Sequence, residues 1–203
     1  MEINEIVIKS EGYIYCKSKF YSACDSLQSY SSYTFSQGIN KLLGEIDSGI
    51  WAASYLLSMY NHRAKDFVLF DDPIVFVNDQ KLPLKDISKF TCYMDNLDPL
   101  FLTKASIKQM VKKGLTRSRL GFSCDDIKEM FSIDDERFER PISGAGNEIF
   151  KALGAIGVAF NKEIFCFPWL SNRRYAYYHK NLTVVLQALE DLRKIVILPL
   201  GPS

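Results

Sequence analysis

The stretch GEIDSGIW at residues 44–51 decides how this chain is interpreted. Gly44 and Gly49 have the G-x-x-x-x-G spacing of a loop that cradles phosphates with its backbone N–H groups. A functional loop of this kind continues with a lysine and then a serine or threonine, which contact the β/γ-phosphates and Mg²⁺. Here those two positions are Ile50 and Trp51. The glycine frame is therefore present without the side chains that bind the phosphates and the metal.

The segments on either side of this loop predict a strand before it and a buried helix after it. Residues 39–43 form a short apolar run that ends at Gly44, and residues 50–60 are apolar on nearly every face. The same alternation returns near the end of the chain, in two apolar strands and the amphipathic helix between them: 163–167, 182–192 and 195–198, the last of which we expect Pro199 to end. Apolar strands that alternate with helices predict an α/β fold with a mainly parallel core sheet.

Short strands are also predicted in the first part of the chain. Residues 6–8 and 12–17 predict two small antiparallel strands joined in a hairpin. Residues 67–70 and 74–77 predict two more strands with a turn between them. A further turn follows at residues 78–80.

The middle of the chain differs in character. Residues 84–140 are charged and helically periodic, so we expect one domain, 1–203, with a helical subdomain at about residues 88–145 inserted in the α/β core. The stretch ISGAG, residues 142–146, then opens a helix rich in Ala and Gly that runs to about Phe160. Small side chains at this density allow close packing against a sheet.

Composition excludes several classes of protein. Lys and Arg number 25 against 24 Asp and Glu, which lacks the strongly basic balance of a nucleic-acid-binding protein. The five cysteines are scattered without a C-x-x-C pair, so we expect reduced thiols and no metal site. The first residues are polar and acidic, unlike a signal peptide, and no apolar run approaches the ~18 residues of a membrane span. We therefore expect a cytoplasmic protein that reaches a membrane only through a partner.

The order of these elements, from the glycine loop through the helical insertion to the final strands, resembles the nucleotide-binding domain of ABC transporters over roughly residues 4–200. That resemblance implies a RecA-like P-loop NTPase core with an inserted helical subdomain. In the family, an L-S-G-G-Q signature opens a helix after the insertion, a Walker B strand ends in Asp-Glu-Pro, and a later strand ends in a switch histidine. Two such domains meet head to tail, and the signature of one covers ATP held by the phosphate loop of the other.

Under this resemblance, the catalytic positions carry other residues. Pro168 matches the proline of Asp-Glu-Pro, which places Cys166 at the Mg²⁺-binding aspartate and Phe167 at the catalytic glutamate. The Q-loop falls at residues 93–96 without a glutamine, and the D-loop aspartate falls near Arg173.

The signature is kept in part. Its serine and the following glycine match Ser143 and Gly144, whereas its glutamine position is Gly146. The resemblance implies that Ser143, Gly144 and Gly146 face a partner's ATP. The switch histidine falls near residues 199–200, and neither histidine of the chain matches it.

We therefore predict a pseudo-ATPase, a non-hydrolysing homologue of ABC-type ATPases with no catalytic residue and no metal site. Its vestigial phosphate loop would consist of Gly44, Ser48 and Gly49, where Glu45 and Asp47 would repel a polyphosphate. The resemblance implies association with an ABC-type ATPase subunit or a membrane permease, or a homodimer. No cofactor is expected under this hypothesis.

Two alternatives stay open at this point. In the first, the chain is a non-standard P-loop nucleotide binder or weak NTPase that binds Mg-ATP through Ser48 and a lysine from elsewhere, Lys41 or Lys151. In the second, it is a scaffold unrelated to nucleotides. The motifs also have simpler explanations, because two glycines occur in many strand–turn–helix units and Trp51 would serve as a core anchor.

Overall fold

The computed structural model describes residues 2–9, 14–17, 22–25, 32–46, 50–63, 67–69, 73–95 and 104–202. The strands are β1 Glu5–Lys9, β2 Ile14–Lys17, β3 Ser22–Asp25, β4 Ser32–Ser36, β5 Gly38–Leu43, β6 Phe67–Leu69, β7 Ile74–Val77, β8 Gln80–Leu82, β9 Thr91–Tyr93, β10 Ile164–Cys166 and β11 Ile195–Leu200. The helices are α1 Ile50–Arg63, α2 Leu84–Ile87, α3 Ile107–Ser118, α4 Cys124–Met130, α5 Asp135–Phe138, α6 Ile149–Ala159 and α7 Asn172–Asp191, with 3₁₀ turns at Ile142–Gly144 and Gly146–Glu148.

A four-stranded parallel sheet in the order β5-β11-β10-β9 forms the centre of the fold. Its two central strands are apolar at successive positions because both of their faces are covered. Alternate side chains serve the two faces: Ile164 and Cys166 pack in the core that contains α1, and Phe165 packs in the core that contains α6 and α7. The predicted α/β fold with a mainly parallel core sheet is confirmed.

The last strand does not end where we expected. β11 continues through Pro199, which is in register with Leu42 of β5, to Leu200. The carbonyl of Pro199 accepts a hydrogen bond from the backbone N–H of Leu170 at 3.0 Å. In a parallel strand the N–H and C=O of one residue point to the same side, and on that side β10 has already ended at Cys166. The proline therefore interrupts no bond with β10, and a strand can contain it.

Shorter strands form two antiparallel sheets, in the orders β4-β1-β7-β8 and β3-β2-β6. The small antiparallel strands predicted near the start of the chain are confirmed, but the hairpin between β1 and β2 is wrong. β1 pairs with β4 and β7, whereas β2 pairs with β3 and β6. The reason is burial: Ile6 and Ile8 of β1 face the core under α1, which Phe35, Val75 and Val77 complete from distant parts of the chain.

β6 and β7 lie in different sheets, and the turn predicted between them lies mostly outside the described residues. β7 pairs instead with β8, a strand that the sequence analysis missed. The two-residue turn between them is Asn78–Asp79, with φ of 47° and 65°, as in a type I′ hairpin. The Asn78 side chain accepts hydrogen bonds from the N–H groups of Asn4 and Glu5, which ties this turn to β1.

Among the described residues of the range 88–145, the first helix begins at Ile107, and residues 91–93 form β9 of the core sheet. Ser106 begins α3 with a reciprocal capping bond to Gln109, and Ser123 begins α4 in the same way with Asp126. These caps satisfy N–H groups at the helix starts, so both helices begin sharply. The division of the chain into core and subdomain remains a prediction.

α6 packs very closely because it contains glycine. A Cβ atom at Gly157 would lie 2.6 Å from the Phe165 ring, and one at Gly154 would lie 2.6 Å from the Phe131 ring. α7 begins at Asn172, well before the predicted start at residue 182. Its first half contains exposed residues such as Tyr177 and lacks the apolar stripe that would have identified it.

Candidate functional site

All core strands are parallel, so their carboxyl ends meet at one edge, which we call the carboxyl edge. In open α/β sheets, ligands bind in a crevice outside this edge. Gly44 follows β5, Tyr93 ends β9, Phe167 follows β10 and Leu200 ends β11. The predicted phosphate loop and the positions that resemble Walker B therefore begin at the same edge.

The start of the predicted phosphate loop is held from two sides. The N–H of Gly44 donates to the carbonyl of Leu200 at 3.0 Å. The carbonyl of Gly44 accepts from the indole N–H of Trp169 at 3.0 Å. Ser48 and Gly49 lie outside the described residues, so their role as phosphate ligands stays a prediction.

Three aromatic side chains, Trp51, Tyr55 and Tyr93, form a buried cluster at the carboxyl edge, the aromatic cluster. Trp51 stands in the first turn of α1, where a working loop has its Mg²⁺-binding hydroxyl. Its indole N–H donates to the Tyr93 hydroxyl at 2.9 Å, and its ring stacks on Tyr55 with 4.8 Å between centroids. Tyr55 in turn meets Tyr93 edge-on at 5.4 Å. The expectation that Trp51 is a core anchor is confirmed, and the cluster joins α1 to β9.

Tyr55 was not among the predicted site residues, and Tyr93 entered only as the first position of the predicted Q-loop, residues 93–96. The spacing of Trp51 and Tyr55, four residues apart on one helix face, was the available signal for half of the cluster. Tyr93 comes from the other edge strand of the sheet, and no local pattern connects it to Trp51.

Cys166 and Phe167, which the resemblance matches to the Mg²⁺-binding aspartate and the catalytic glutamate, are completely buried. Burial raises the pKa of the Cys166 thiol to about 12, although hydrogen bonds with Ser58 and Ser54 act in the opposite direction. The Ser54 hydroxyl also donates to the carbonyl of Phe167 at 2.6 Å. A protonated thiol and a phenyl ring do not replace the oxygen ligands that Mg²⁺ requires.

Among the described residues, the loops at the carboxyl edge lack basic side chains that could bind a magnesium–triphosphate group, and the next basic residues are Arg173 and Arg174 at the start of α7. Catalysis of phosphoryl transfer depends on cations placed around the γ-phosphate. The described segments that follow the four core strands contain the carboxylates of Glu45 and Asp95 and no Lys or Arg: residues 44–46, 94–95, 167–171 and 201–202. In the part of the chain that the structure describes, no group of three His, Cys, Asp or Glu side chains could hold a metal ion.

The stretch that resembles the signature forms an exposed turn before α6. Ser143, Gly144 and Gly146 are all exposed. Gly146 has φ of +54°, in the left-handed region that favours glycine, and a Cβ there would meet no atom within 4 Å. The three residues are therefore accessible on one turn, and their contact with a partner's ATP stays a prediction.

Hydrogen bonds and ion pairs from charged side chains connect this turn to its neighbouring helices. Arg137 donates to the carbonyl of Gly144 and to the Glu148 carboxylate, the latter at 2.9 Å. The Lys151 ammonium donates to the carbonyl of Ser132 at 2.9 Å and lies 3.3 Å from Glu148. This network joins α5, the turn and α6, and it keeps a carboxylate at the start of α6.

Among the remaining positions, Arg173 is a basic residue at the carboxyl edge, because α7 begins directly after the loop that follows β10. Arg173 lies in the first turn of α7, and residues 199–200 end β11. His62 is exposed in the last turn of α1. His179 is exposed on α7, edge-on to Tyr175. Neither histidine directly follows a strand of the core sheet.

A cavity of about 550 Å³ lies away from the carboxyl edge, between the end of α1, the β7–β8 hairpin and α2, with Tyr60, Lys81 and Lys85 in its lining. None of the residues predicted from the sequence lines it. Among the described helices, none combines the length and apolar character needed to cross a membrane.

Similarity to solved structures identifies the fold. No protein-family model matches the sequence, and no curated protein matches it. A protein from Pyrococcus furiosus described as an ABC transporter ATP-binding protein superposes with a TM-score of 0.62 at 12% identity, covering 98% of this chain and 92% of that one. A bacterial Atm1-family ABC exporter with ATP bound gives a TM-score of 0.56 at 8% identity over 99% of this chain and 34% of the exporter chain. The chain therefore has the fold of ABC transporter ATP-binding domains, as predicted.

Proposed function

We propose that this chain is an ABC-type ATPase homologue that neither binds Mg-ATP at its carboxyl edge nor hydrolyses it, and that it acts by association with another protein. The observation that carries the proposal is the hydrogen bond between Trp51 and Tyr93. It fixes an indole at the position of the Mg²⁺-binding hydroxyl and makes the aromatic cluster part of the protein core.

The chemistry of the neighbouring positions supports the same conclusion. Phosphoryl transfer relies on positioning and on neutralising the charge of the γ-phosphate. Cys166 and Phe167 offer neither a metal ligand nor a general base, and Glu45 adds negative charge beside the loop. Like charges a few ångströms apart cost about 1 kcal/mol in water and more in a cleft.

The alternative, a nucleotide site built with an unusual lysine, receives less support. The Lys151 ammonium is bound to the Ser132 carbonyl and lies beside Glu148 in the helical part of the molecule. Lys41 comes two residues after Ile39 in β5, so both lie on the same face of the sheet. Ile39 packs on the α6–α7 side, opposite the face covered by α1. Ser48 lies outside the described residues, so it stays a candidate ligand.

The exposed turn of Ser143, Gly144 and Gly146 supports a role in association. In the head-to-tail arrangement of the family, such a turn meets the ATP of a partner domain. The proposed partners are an ABC-type ATPase subunit, a membrane permease or a second copy of this chain. The proposal includes a location in the cytoplasm, and at a membrane only through the partner.

Titration of the purified protein with Mg-ATP by calorimetry tests the nucleotide part of the proposal. We expect no binding heat up to millimolar Mg-ATP and no phosphate release. Binding in the micromolar range would overturn the proposal and favour the alternative. If phosphate release is seen, the Gly49→Trp variant is the control: loss of release in that variant assigns the activity to this chain, and an unchanged rate assigns it to a contaminant.

A further inference from the structure

The charged side chains on the exposed side of α3 are all basic. From Lys104 to Arg119 the sequence contains six Lys and Arg residues and no Asp or Glu. Five of them are exposed on α3 and its C-cap and define the basic face: Lys108, Lys112, Lys113, Arg117 and Arg119. The apolar side of α3, with Ile107, Met110 and Val111, is buried in the core. The net charge of +1 gives no sign of this local basic surface.

Most residues of the basic face form no ion pair with a described residue, although Asp125 and Asp135 also lie near Lys108. Lys108 and Glu139, 2.5 Å apart, form its only ion pair with another described residue. Lys108 and Lys112 are four residues apart, as are Lys113 and Arg117, and like charges at this spacing destabilise a helix. A surface that keeps such repulsion is suited to an acidic partner.

A surface of opposite charge lies directly beside it. Residues 124–140 contain seven acidic side chains against three basic ones. Six of the acidic residues are exposed on α4, α5 and their connection, and define the acidic face: Asp125, Asp126, Glu129, Asp134, Asp135 and Glu136. The three basic residues already form ion pairs, Lys128 with Asp135, Arg137 with Glu148 and Arg140 with Glu136. The acidic face therefore keeps an excess of negative charge.

We propose that two copies of this chain associate through these faces, with the basic face of each copy on the acidic face of the other. Both faces lie side by side on the packed helices α3, α4 and α5. A two-fold axis at their boundary would place each face against its complement, which is the self-complementary geometry of a symmetric dimer. This dimer specifies a second copy as the partner. It rests on the proposed function only in that the chain acts by association.

The charge balance of the whole chain favours a second copy over a general polyanion. The net charge is only +1, so a membrane or nucleic acid would meet repulsion from the acidic face together with attraction to the basic one. A second copy presents the complement of both faces at once. Binding to a polyanion is therefore an outcome that would count against the proposal.

Sedimentation velocity of the full chain tests the dimer. Between about 0.01 M and about 1 M salt the screening length falls from about 30 Å to about 3 Å, so we expect dimers at low salt and monomers at high salt. Two charge-reversal variants use residues without a described ion pair: Lys112→Glu with Lys113→Glu, and Glu129→Lys with Asp134→Lys. Each variant alone should be monomeric, with a dimer dissociation constant raised by about tenfold or more.

Mixing the two variants is the decisive measurement. The first variant keeps an intact acidic face and the second keeps an intact basic face. In the mixture these two intact faces meet, so a heterodimer should form more readily than the homodimer of either variant. The control is Lys81→Glu with Lys85→Glu, which makes the same charge change at exposed lysines outside the two faces and should dimerise like the wild type. Recovery of the heterodimer also shows that both variants are folded.

The proposal is overturned if the wild type is monomeric at low salt or if the mixture forms no heterodimer. It is also overturned if the wild type binds anionic vesicles or DNA in place of forming a dimer. Mg-ATP titration distinguishes these failures from failure of the proposed function. A monomer that does not bind Mg-ATP contradicts only the dimer, whereas a dimer that binds Mg-ATP contradicts only the proposed lack of nucleotide binding.

Discussion

Cys166 is fully enclosed, and its pKa is raised by burial to about 12. We expect it to resist alkylation at pH 8 in the folded protein, because the thiolate is the reactive form and is almost absent there. Cys124, which is half-buried, is the matched control and should react first. Peptide mass mapping with and without denaturant gives the readout. Equal modification of both cysteines in the native protein would contradict the buried position of Cys166.

The same thiol predicts a loss of stability at alkaline pH. The pKa of Cys166 is higher in the folded protein than its ordinary value of 9.0, so the unfolded chain releases this proton first. The free energy of unfolding should therefore be unaffected by this group below pH 9 and fall as the pH rises from 9 to about 12. Urea unfolding of the wild type and of Cys166→Ala measures the effect. The variant should show a shallower decline, and identical slopes would contradict the prediction.

Tyr93→Phe tests the hydrogen bond on which the proposed function depends. The variant keeps the ring but removes the oxygen that accepts the Trp51 indole N–H. We expect the free energy of unfolding to fall by about 1–3 kcal/mol, the usual cost of taking a partner from a buried polar group. Tyr177→Phe, at a ring that is 69% exposed, is the control and should change it by less than about 0.5 kcal/mol. Equal effects in both variants would remove the bond as a source of stability.

The glycines of α6 let this helix pack closely against the sheet. Gly157→Ala would place a methyl group 2.6 Å from the Phe165 ring of β10 and 3.2 Å from the Cys92 sulfur of β9. We expect a loss of about 1–3 kcal/mol in the free energy of unfolding, because helix and sheet must separate to admit the methyl group. Gly121→Ala is the control, since no atom lies within 4 Å of the added Cβ. Thermal or urea unfolding that shows no loss in Gly157→Ala would contradict the close packing.

For the whole molecule, the proposed function predicts that Mg-ATP does not stabilise the fold. A ligand present at 100 times its dissociation constant raises the free energy of unfolding by about 2.7 kcal/mol. We expect millimolar Mg-ATP to leave the thermal midpoint where Mg²⁺ alone leaves it, because the aromatic cluster occupies the carboxyl edge. A clear upward shift with Mg-ATP would require a nucleotide site elsewhere or a rearranged edge.

The architecture was predictable where local sequence determines it. The strand before Gly44, the helix after it and the small-residue helix α6 follow from apolar periodicity and glycine spacing, and all are present. The pairing of β1 was not predictable, because its partners β4 and β7 are chosen by a shared core between distant segments. The start of α7 was missed because its first half is mostly polar and exposed.

The candidate site also has a part that the sequence predicts and a part that depends on contacts between distant segments. Under the family resemblance, Ile50, Trp51 and Cys166 fall where a working ATPase has polar groups, and this assignment stays a prediction. The hydrogen bonds that form at the carboxyl edge join segments far apart in the sequence, so no local pattern predicts them. The Trp51–Tyr93 bond joins residues 42 positions apart, and the Trp169–Gly44 bond joins residues 125 positions apart.

The two tryptophans have a practical consequence, because the chain has no others and both are bonded at the carboxyl edge. Light absorbed selectively by indole therefore excites only this part of the molecule. Trp51 lies in an apolar, fully enclosed environment, whereas Trp169 is half-buried, so their emission should differ in wavelength and in access to a quencher. The intrinsic fluorescence of the unmodified protein is thus a local optical probe of this edge, and it would report any molecule that displaces either ring.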